Sequence, residues 1–477
     1  MALFDTIRAG ASGTGDYEIE RSIRINPSDS ARLSRTFPQA GNRKTFTFSA
    51  WVKRATFGSG HTIFACATDS SNLWAIYFPS DQFSIRSISG GSDQFEKNSN
   101  GRFRDITAWY HIVVAIDMTQ SNAEDRAKGY INGERITDWA TNTIPAQNTD
   151  LLLNSAQAHN IGRMGGIGNY WDGYIAEANF IDGQALTPAS FAETNAITGQ
   201  WIPKKYVGSY GTNGFRLEFA DNSAATDTTL GKDTSGNGNN FSPSNLSVSA
   251  GQGNDSLEDT PTNNFCTLNP LAGYQTSFES STNGNLDFSL SHGEFGFSTF
   301  EIPTSGKWYA EVVFTTHASG RCGITNLNKK NDTKWNGIDN LGGEIRVDDS
   351  VVQSGISNTI GNNKIVGIKV DRDAGTIAWE VDGSAAGSAV NISSMSDPNN
   401  LVFAVGRNSS GGSAPTGFVN FGQRSFSHLP AGYKALNSQN LPEPTIPKSD
   451  KYFDIALWTG NSNSNGDGNS QNITGFN

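Results

Sequence analysis

One pattern occurs twice in this chain of 477 residues and narrows what the chain can fold into. The first copy runs from Trp109 as W-Y-H-I-V-V-A-I-D, a polar turn, then K-G-Y-I-N-G-E-R-I. The second runs from Ile365 as I-V-G-I-K-V-D-R-D-A-G-T-I-A-W-E-V-D-G. In the second copy Val366, Ile368 and Val370 share one parity, as do Ile377, Trp379 and Val381 after the turn. Period two on both sides of a short polar turn marks an antiparallel hairpin with one buried face. Each copy ends in a pair suited to a second tight turn, Asn132-Gly133 or Asp382-Gly383. The pattern predicts the central hairpins of two separate β-sandwiches.

Composition agrees. Only 36% of residues are hydrophobic, yet 10 Trp, 12 Tyr and 28 Phe are spread along the chain, which suits thin aromatic cores and argues against disorder. The 52 glycines supply tight turns. Acidic residues outnumber basic ones by 46 to 35, for a net charge of −11, and no basic cluster is present. A surface that tracks phosphates needs clustered Lys and Arg, so neither nucleic acid nor an anionic membrane is an expected partner. No apolar run reaches the length of a membrane span, so membrane insertion is not expected.

Cys66, Cys266 and Cys322 are far apart and in no metal-binding spacing, and they read as buried free thiols of a chain made in a reducing compartment. The start, M-A-L-F-D-T-I-R-A-G, lacks the basic and apolar regions of a secretory signal, so cytoplasmic synthesis without a signal peptide is expected. Residues 1–20 hold few apolar groups and read as a frayed tail or as an arm that orders against a partner.

From Arg21, short strand-like runs follow one another: R-S-I-R-I-N, A-R-L-S-R-T, T-F-T-F-S-A-W-V-K-R, then residues 62–67, 73–78, 82–88, the Trp109 hairpin, 160–163 and 171–180. Thr187 and Pro188 signal one short helix, as N-cap and first position. The run from F-T-F-S-A-W-V-K-R through W-Y-H-I-V-V and G-Y-I-N-G to Y-W-D-G-Y-I-A-E-A-N-F-I-D-G-Q-A-L-T-P resembles a laminin-G-like or concanavalin A-like jelly roll over residues 21–220. Its G-N-R-K-T and D-G-Q-A-L-T-P segments are similar to those in virion proteins of tailed, marine-type bacteriophages.

Residues 221–262 are rich in Gly, Ser, Asn and Asp and read as a boundary segment traced along a domain surface. Within it, D-T-S-G-N-G from Asp233 reads as turn structure, with a calcium ion cupped by oxygen ligands as the alternative. Beyond it, G-K-W-Y-A-E-V, C-G-I, the Ile365 hairpin and V-N-F-G-Q resemble a SPRY domain over residues 263–446, and L-P-A-G-Y-K-A-L-N-S-Q-N-L-P-E-P-T-I is similar to phage copies of it. That resemblance implies a binding module that works through loops at one end of the sandwich, and it fixes no contact residue. Residues 447–477 include Y-F-D-I-A-L-W-T-G, which reads as the start of a further β module or a subunit-pairing extension, because a lone strand cannot bury its own face.

The chain shows little catalytic chemistry. None of His61, His111, His159, His292, His317 and His428 lies in a metal-ligand spacing, and His111 reads as a satisfied core histidine. Jelly-roll glycosidases set two carboxylates on one face, as E-x-D-x-E on a strand would, and no such run exists. Glu177 and Asp182 have opposite parity, and Asp371 and Asp373 fall in a turn. Trp74, Tyr170 and Trp171, flanked by Asn and Gly, are candidate sugar platforms weighed against a plain core role. No catalytic, cofactor-binding or metal-binding residue is assigned, and no cofactor is expected.

The expectation is therefore an all-β chain of two antiparallel β-sandwiches, jelly-roll and then SPRY-like, with an N-terminal arm and a C-terminal β extension. The resemblances imply a non-enzymatic virion structural protein: a tail fibre or fibre-like appendage with adhesion modules for host-surface glycans. Its expected partners are tail or capsid proteins, through residues 1–20, and two further copies of itself in a homotrimer. The alternatives are a capsid decoration or head-fibre protein, and a glycan-binding lectin or polysaccharide hydrolase.

Overall fold

The computed structural model describes residues 17–58, 60–272, 281–291, 293–327, 335–339, 343–407 and 413–442. Residues 1–16 of the expected arm, the expected extension 447–477 and His292 lie outside them.

The first sandwich begins with β1 (Ser22–Ile25), β2 (Arg32–Thr36), β3 (Thr45–Arg54), β4 (His61–Asp69), β5 (Asn72–Phe78), β6 (Gln82–Ser89) and β7 (Ser92–Arg102). It continues with β8 (Trp109–Asp117), β9 (Ala127–Ile131), β10 (Glu134–Arg135), β11 (Trp139–Thr143), β12 (Ala158–Ile161) and β13 (Gly173–Asp182). Five short strands follow: β14 (Ala192–Thr194), β15 (Trp201–Pro203), β16 (Phe215–Leu217), β17 (Ser242–Ser244) and β18 (Ser256–Leu257). One sheet runs β10-β9-β8-β3-β13-β1-β18, with β16 beside β13, and faces a sheet ordered β11-β7-β6-β5-β4-β12-β2-β17.

The second sandwich holds β19 (Ser281–Thr282), β20 (Asp287–Ser289), β21 (Phe295–Phe297), β22 (Lys307–Thr316), β23 (Gly320–Asn326), β24 (Asn336–Asp339) and β25 (Glu344–Val347). It then adds β26 (Ser350–Gln353), β27 (Ile365–Asp371), β28 (Thr376–Val381), β29 (Ser384–Asn391), β30 (Leu401–Arg407), β31 (Thr416–Asn420) and β32 (Lys434–Ala435). Its sheets run β19-β20-β31-β22-β27-β28-β29, with β32 beside β22, and β21-β30-β23-β24-β25-β26.

The repeated pattern forms the two hairpins β8–β9 and β27–β28. Val366, Ile368 and Val370 face Val381, Trp379 and Ile377 directly across the second hairpin, and all six are buried. Asn132 and Gly133 (φ 50° and 86°) and Asp382 and Gly383 (φ 50° and 74°) take the left-handed backbone of the second turns. Neither hairpin is central, contrary to the sequence-based expectation. The middle strands are β3 and β22, because a hairpin that continues through a second tight turn meanders outward, toward β10 or β29. The helix expected at Thr187 is a single 3-10 turn, Pro188–Ser190, and the Thr187 side chain does not cap it.

On β3, Phe46, Phe48, Ala50 and Val52 point into the core between the sheets, with Phe64, Trp74 and Ile76. The opposite face, Thr47, Ser49, Trp51 and Lys53, is largely polar but buried as well. Two elements cover it. Phe191, Tyr206 and Tyr210 pack on Val113, Ala115 and Ile181. Trp51, Trp109, Tyr174 and Ala176 join the same apolar cluster as Cys266, Leu268, Phe288 and Phe300 of the second sandwich. Residues 221–262 close the edges: β17 pairs with β2, β18 pairs with β1, and Leu230, Phe241 and Leu246 enter the first core.

Candidate functional site

The larger sheet of the second sandwich turns Trp308, Ala310, Val312, Val366, Ile368 and Val419 inward. The opposite parity therefore lies on its outer face. There, one cross-strand row reads Ile365, Val313, Phe418, Asp287, and the next reads Glu380, Gly367, Glu311, Asn420. Over this face runs a groove of about 380 Å³, floored by Val313, Ile365 and Phe418 and edged by Glu311, Asn363, Asn420, Arg424 and Ser427. Its far wall is Ala250 and Gly251, so the boundary segment of the first sandwich helps to build it.

Polar groups are fixed along this groove. Glu311 Oε1 accepts from the backbone N–H groups of Ser427 and His428, each at 2.8 Å. Asn420 Oδ1 accepts from Gly422 N at 3.0 Å, holding the turn that carries Arg424. Arg424 is 7% exposed, and its Nη1 donates to Gly251 O at 3.0 Å. Its guanidinium lies over the Phe418 ring at 5.6 Å. Burial, with the neighbouring Arg24 cation, lowers its pKa to about 10.

Two carboxylates share this face, a pairing that a search along single strands cannot find. Glu311 and Glu380 flank Gly367, and Tyr309 Oη fills the space over that glycine. It donates to Glu380 Oε1 at 2.9 Å and lies 3.5 Å from Glu311 Oε1. Lys369 Nζ neutralises Glu380 at 3.2 Å. Both acids are thus engaged by protein donors. Only the cross-strand register brings them together, and no sequence signal sets that register.

The residues weighed from sequence are placed as follows. Trp74 and Trp171 are fully buried in the first core, whereas Tyr170 is half-buried with the Arg163 guanidinium 5.5 Å from its ring centre. Glu177 and Asp182 have separate partners: Arg216 and Tyr17 for the former, Asn42, Asn154 and Asn213 for the latter. Asp371 and Asp373 shape the β27–β28 turn, accepting from Ala374 N and Gly306 N. The Asp233 carboxylate accepts from the N–H groups of Arg216, Ser235 and Asn239 and from Ser235 Oγ, which is the turn reading. Among the described residues no group of His, Cys, Asp and Glu is placed to hold a metal ion.

Residues 28–192 match the model of the concanavalin A-like lectin/glucanases superfamily, in its laminin-G form. The first sandwich is a laminin-G/concanavalin A-like jelly roll. Similar solved structures include the heptameric SAP-like pentraxin of Limulus polyphemus (17% identity, 36% of this chain and 80% of that one, TM-score 0.28). Domains LG4-5 of the mouse laminin alpha1 chain are similar over 86% of this chain and 90% of theirs (11% identity, TM-score 0.30). The tailspike protein 2 of Escherichia coli O157:H7 bacteriophage CAB120 is similar over 37% of this chain and 28% of its own (13% identity, TM-score 0.25). Among curated proteins none matches.

Proposed function

We propose that this chain is a non-enzymatic, glycan-binding adhesion protein, and that it serves as a tail fibre or fibre-like appendage of a tailed bacteriophage virion. The observation that carries the glycan reading is the groove at Arg424. An apolar floor beside fixed Asn, Ser, Glu and Arg groups suits a sugar, which presents an apolar ring face and a hydroxyl-rich edge. The lectin-type jelly roll, whose boundary segment forms the far wall, supports the same reading. In this account the second sandwich is a SPRY-like adhesion module and the jelly roll a stiff spacer or second module. The phage context rests on the jelly-roll and second-module motifs of the sequence. The N-terminal residues attach the chain to the particle, and three copies cover one another's sheet edges.

The non-enzymatic reading is supported by the partners of the two acids: Tyr309 and Lys369 engage the two oxygens of Glu380, and two backbone N–H groups hold Glu311 Oε1. The test is immunogold or cryo-electron microscopy of intact particles with a label on the second sandwich. Label projecting from the tail is the expected result. Label scattered over the head makes this a decoration protein. Release of reducing sugar from host polysaccharide, lost on Glu311→Gln, contradicts the non-enzymatic reading.

A further inference from the structure

We propose that the groove of the second sandwich takes a carboxylate-bearing sugar, and that Arg424 grips the carboxylate side-on. The proposal rests on the glycan-binding reading above and names the chemical class of the ligand.

A guanidinium presents distinct hydrogen-bonding edges. One nitrogen of Arg424, Nη1, is used on Gly251 O. Its Nε and Nη2 are buried and have no hydrogen-bond partner. Those two N–H groups point the same way and form the fork that matches the two oxygens of a carboxylate. A buried cation with this edge unfilled costs stability, which a bound anion returns.

Arg24 shows what that edge accepts when it is filled. Its Nε and Nη2 both donate to Asp255 Oδ1, at 3.2 and 3.0 Å, while Nη1 takes a backbone carbonyl. Arg24 and Arg424 are thus built alike, except that the fork of the second donates to no carboxylate. Asp287 is the nearby acid that does not supply one. Its Oδ2 is held by Gln252 and Asn283, its Oδ1 is buried with no hydrogen-bond partner, and among the described residues no ion pair at 4.0 Å or less joins it to Arg424.

The rest of the groove selects a sugar acid over a bare anion. Phe418, Val313 and Ile365 offer an apolar surface for a ring, and the volume falls in the usual range for small-molecule sites, about 300–1,000 Å³. Glu311 stands in the same groove, so a dianionic phosphate meets repulsion that a singly charged carboxylate meets less strongly. The Glu311 carboxylate is an acceptor for sugar hydroxyls.

The test is calorimetric titration of the full chain with fragments of galacturonan, alginate and hyaluronan. Controls are the methyl esters of the same fragments and a sulfated galactan fragment. The expected result is binding of at least one uronate series, weakened tenfold or more by esterification. Arg424→Lys, which keeps charge and stem but lacks the planar fork, weakens it tenfold or more in a variant that circular dichroism shows to be folded. Equal binding of acid and ester overturns the proposal, as does tighter binding of the sulfated sugar or wild-type affinity in Arg424→Lys. The ester comparison uses the unaltered protein and so does not depend on how the variant folds. Neutral glycans bound with no role for Arg424 overturn this proposal and leave the glycan-binding reading standing. No binding by any glycan overturns both.

Discussion

Lys53 Nζ lies 2.8 Å from Asp259 Oδ2, with the two side chains 1% and 0% exposed. Lys53 sits on the central strand of the jelly roll, and Asp259 sits where the chain passes to the second sandwich. The ammonium also donates to Asn264 Oδ1 at 2.7 Å and to Phe265 O at 3.0 Å, so all three of its N–H groups are used across the junction. Asp259 Oδ1 in turn accepts from Trp109 Nε1 and Phe265 N. The junction is therefore a buried, satisfied polar knot inside a shared apolar cluster.

Breaking one partner of such a pair leaves an uncompensated buried charge. Lys53→Met is expected to cost about 3–5 kcal/mol in denaturant unfolding, and adding Asp259→Asn to recover part of that loss. A single variant within 1 kcal/mol of the parent (on the order of a surface substitution) contradicts a buried role for the pair.

Gly367 leaves the room in which Tyr309 Oη sits between Glu311 and Glu380. Gly367→Ala drives a methyl group into Tyr309 and Glu380 and is expected to cost about 1–3 kcal/mol. Tyr309→Phe in the same chain removes the hydroxyl and relieves part of it. Unfolding midpoints of the two single variants and the double variant measure the coupling, and strict additivity contradicts the contact.

Acid should destabilise the protein through its buried histidines. Trp201 Nε1 donates to His111 Nδ1 at 3.1 Å, so Nε2 carries the proton and donates to Ser49 Oγ at 2.9 Å. Burial lowers His111 to about 3 and His159 to about 4, and burial with the Arg54 cation lowers His61 to about 4. The unfolded chain protonates these groups near pH 6.5. Below that pH the unfolded state binds protons that the native state refuses. Each such histidine then costs about 1.4 kcal/mol per pH unit until its folded value is reached. Asp172, raised by burial to about 6, acts in the opposite sense and gains stability for the fold as the pH falls through that value. The stability gap between the parent and His111→Gln should therefore shrink from pH 7 to pH 4.5 in urea titrations. A constant gap contradicts the assignment.

The three thiols should be silent. Cys66, Cys266 and Cys322 are unpaired and buried. Burial pushes Cys66 up to about 12 and Cys266 up to about 11, and it raises Cys322 as well. A thiol-specific chromogenic reagent at pH 8 is expected to label none in the native protein and three after denaturation. Rapid labelling of the native chain contradicts that burial.

Much of the fold was legible because its strongest signals are local. Parity in 45–54 and in 365–381, and the two Asn/Asp-Gly turns, specify strands and hairpins from neighbours alone. Strand β7 was not legible: among its inward residues Phe95, Lys97 and Ser99 only one is apolar, and Lys97 is made tolerable by Glu124 and Trp139. The second burial of β3 was also hidden, since Thr47, Ser49 and Lys53 read as a solvent face until residues 184–201 cover the first two and the second sandwich covers Lys53. The groove depends on a row across β27, β22, β31 and β20 and on a loop from the other sandwich. Register and module packing of that kind leave no periodic trace in the sequence. Arg424 and Glu311 therefore emerge only from the assembled fold.

The most direct test of the account is binding of the purified full chain to an array of host-surface glycans, read with and without Arg424→Lys. The account predicts selective retention on a subset of glycans that carry uronate units, reduced in the variant, with no glycan cleaved. Retention on none of them, at protein concentrations that saturate known lectins, would contradict adhesion as the function of this protein.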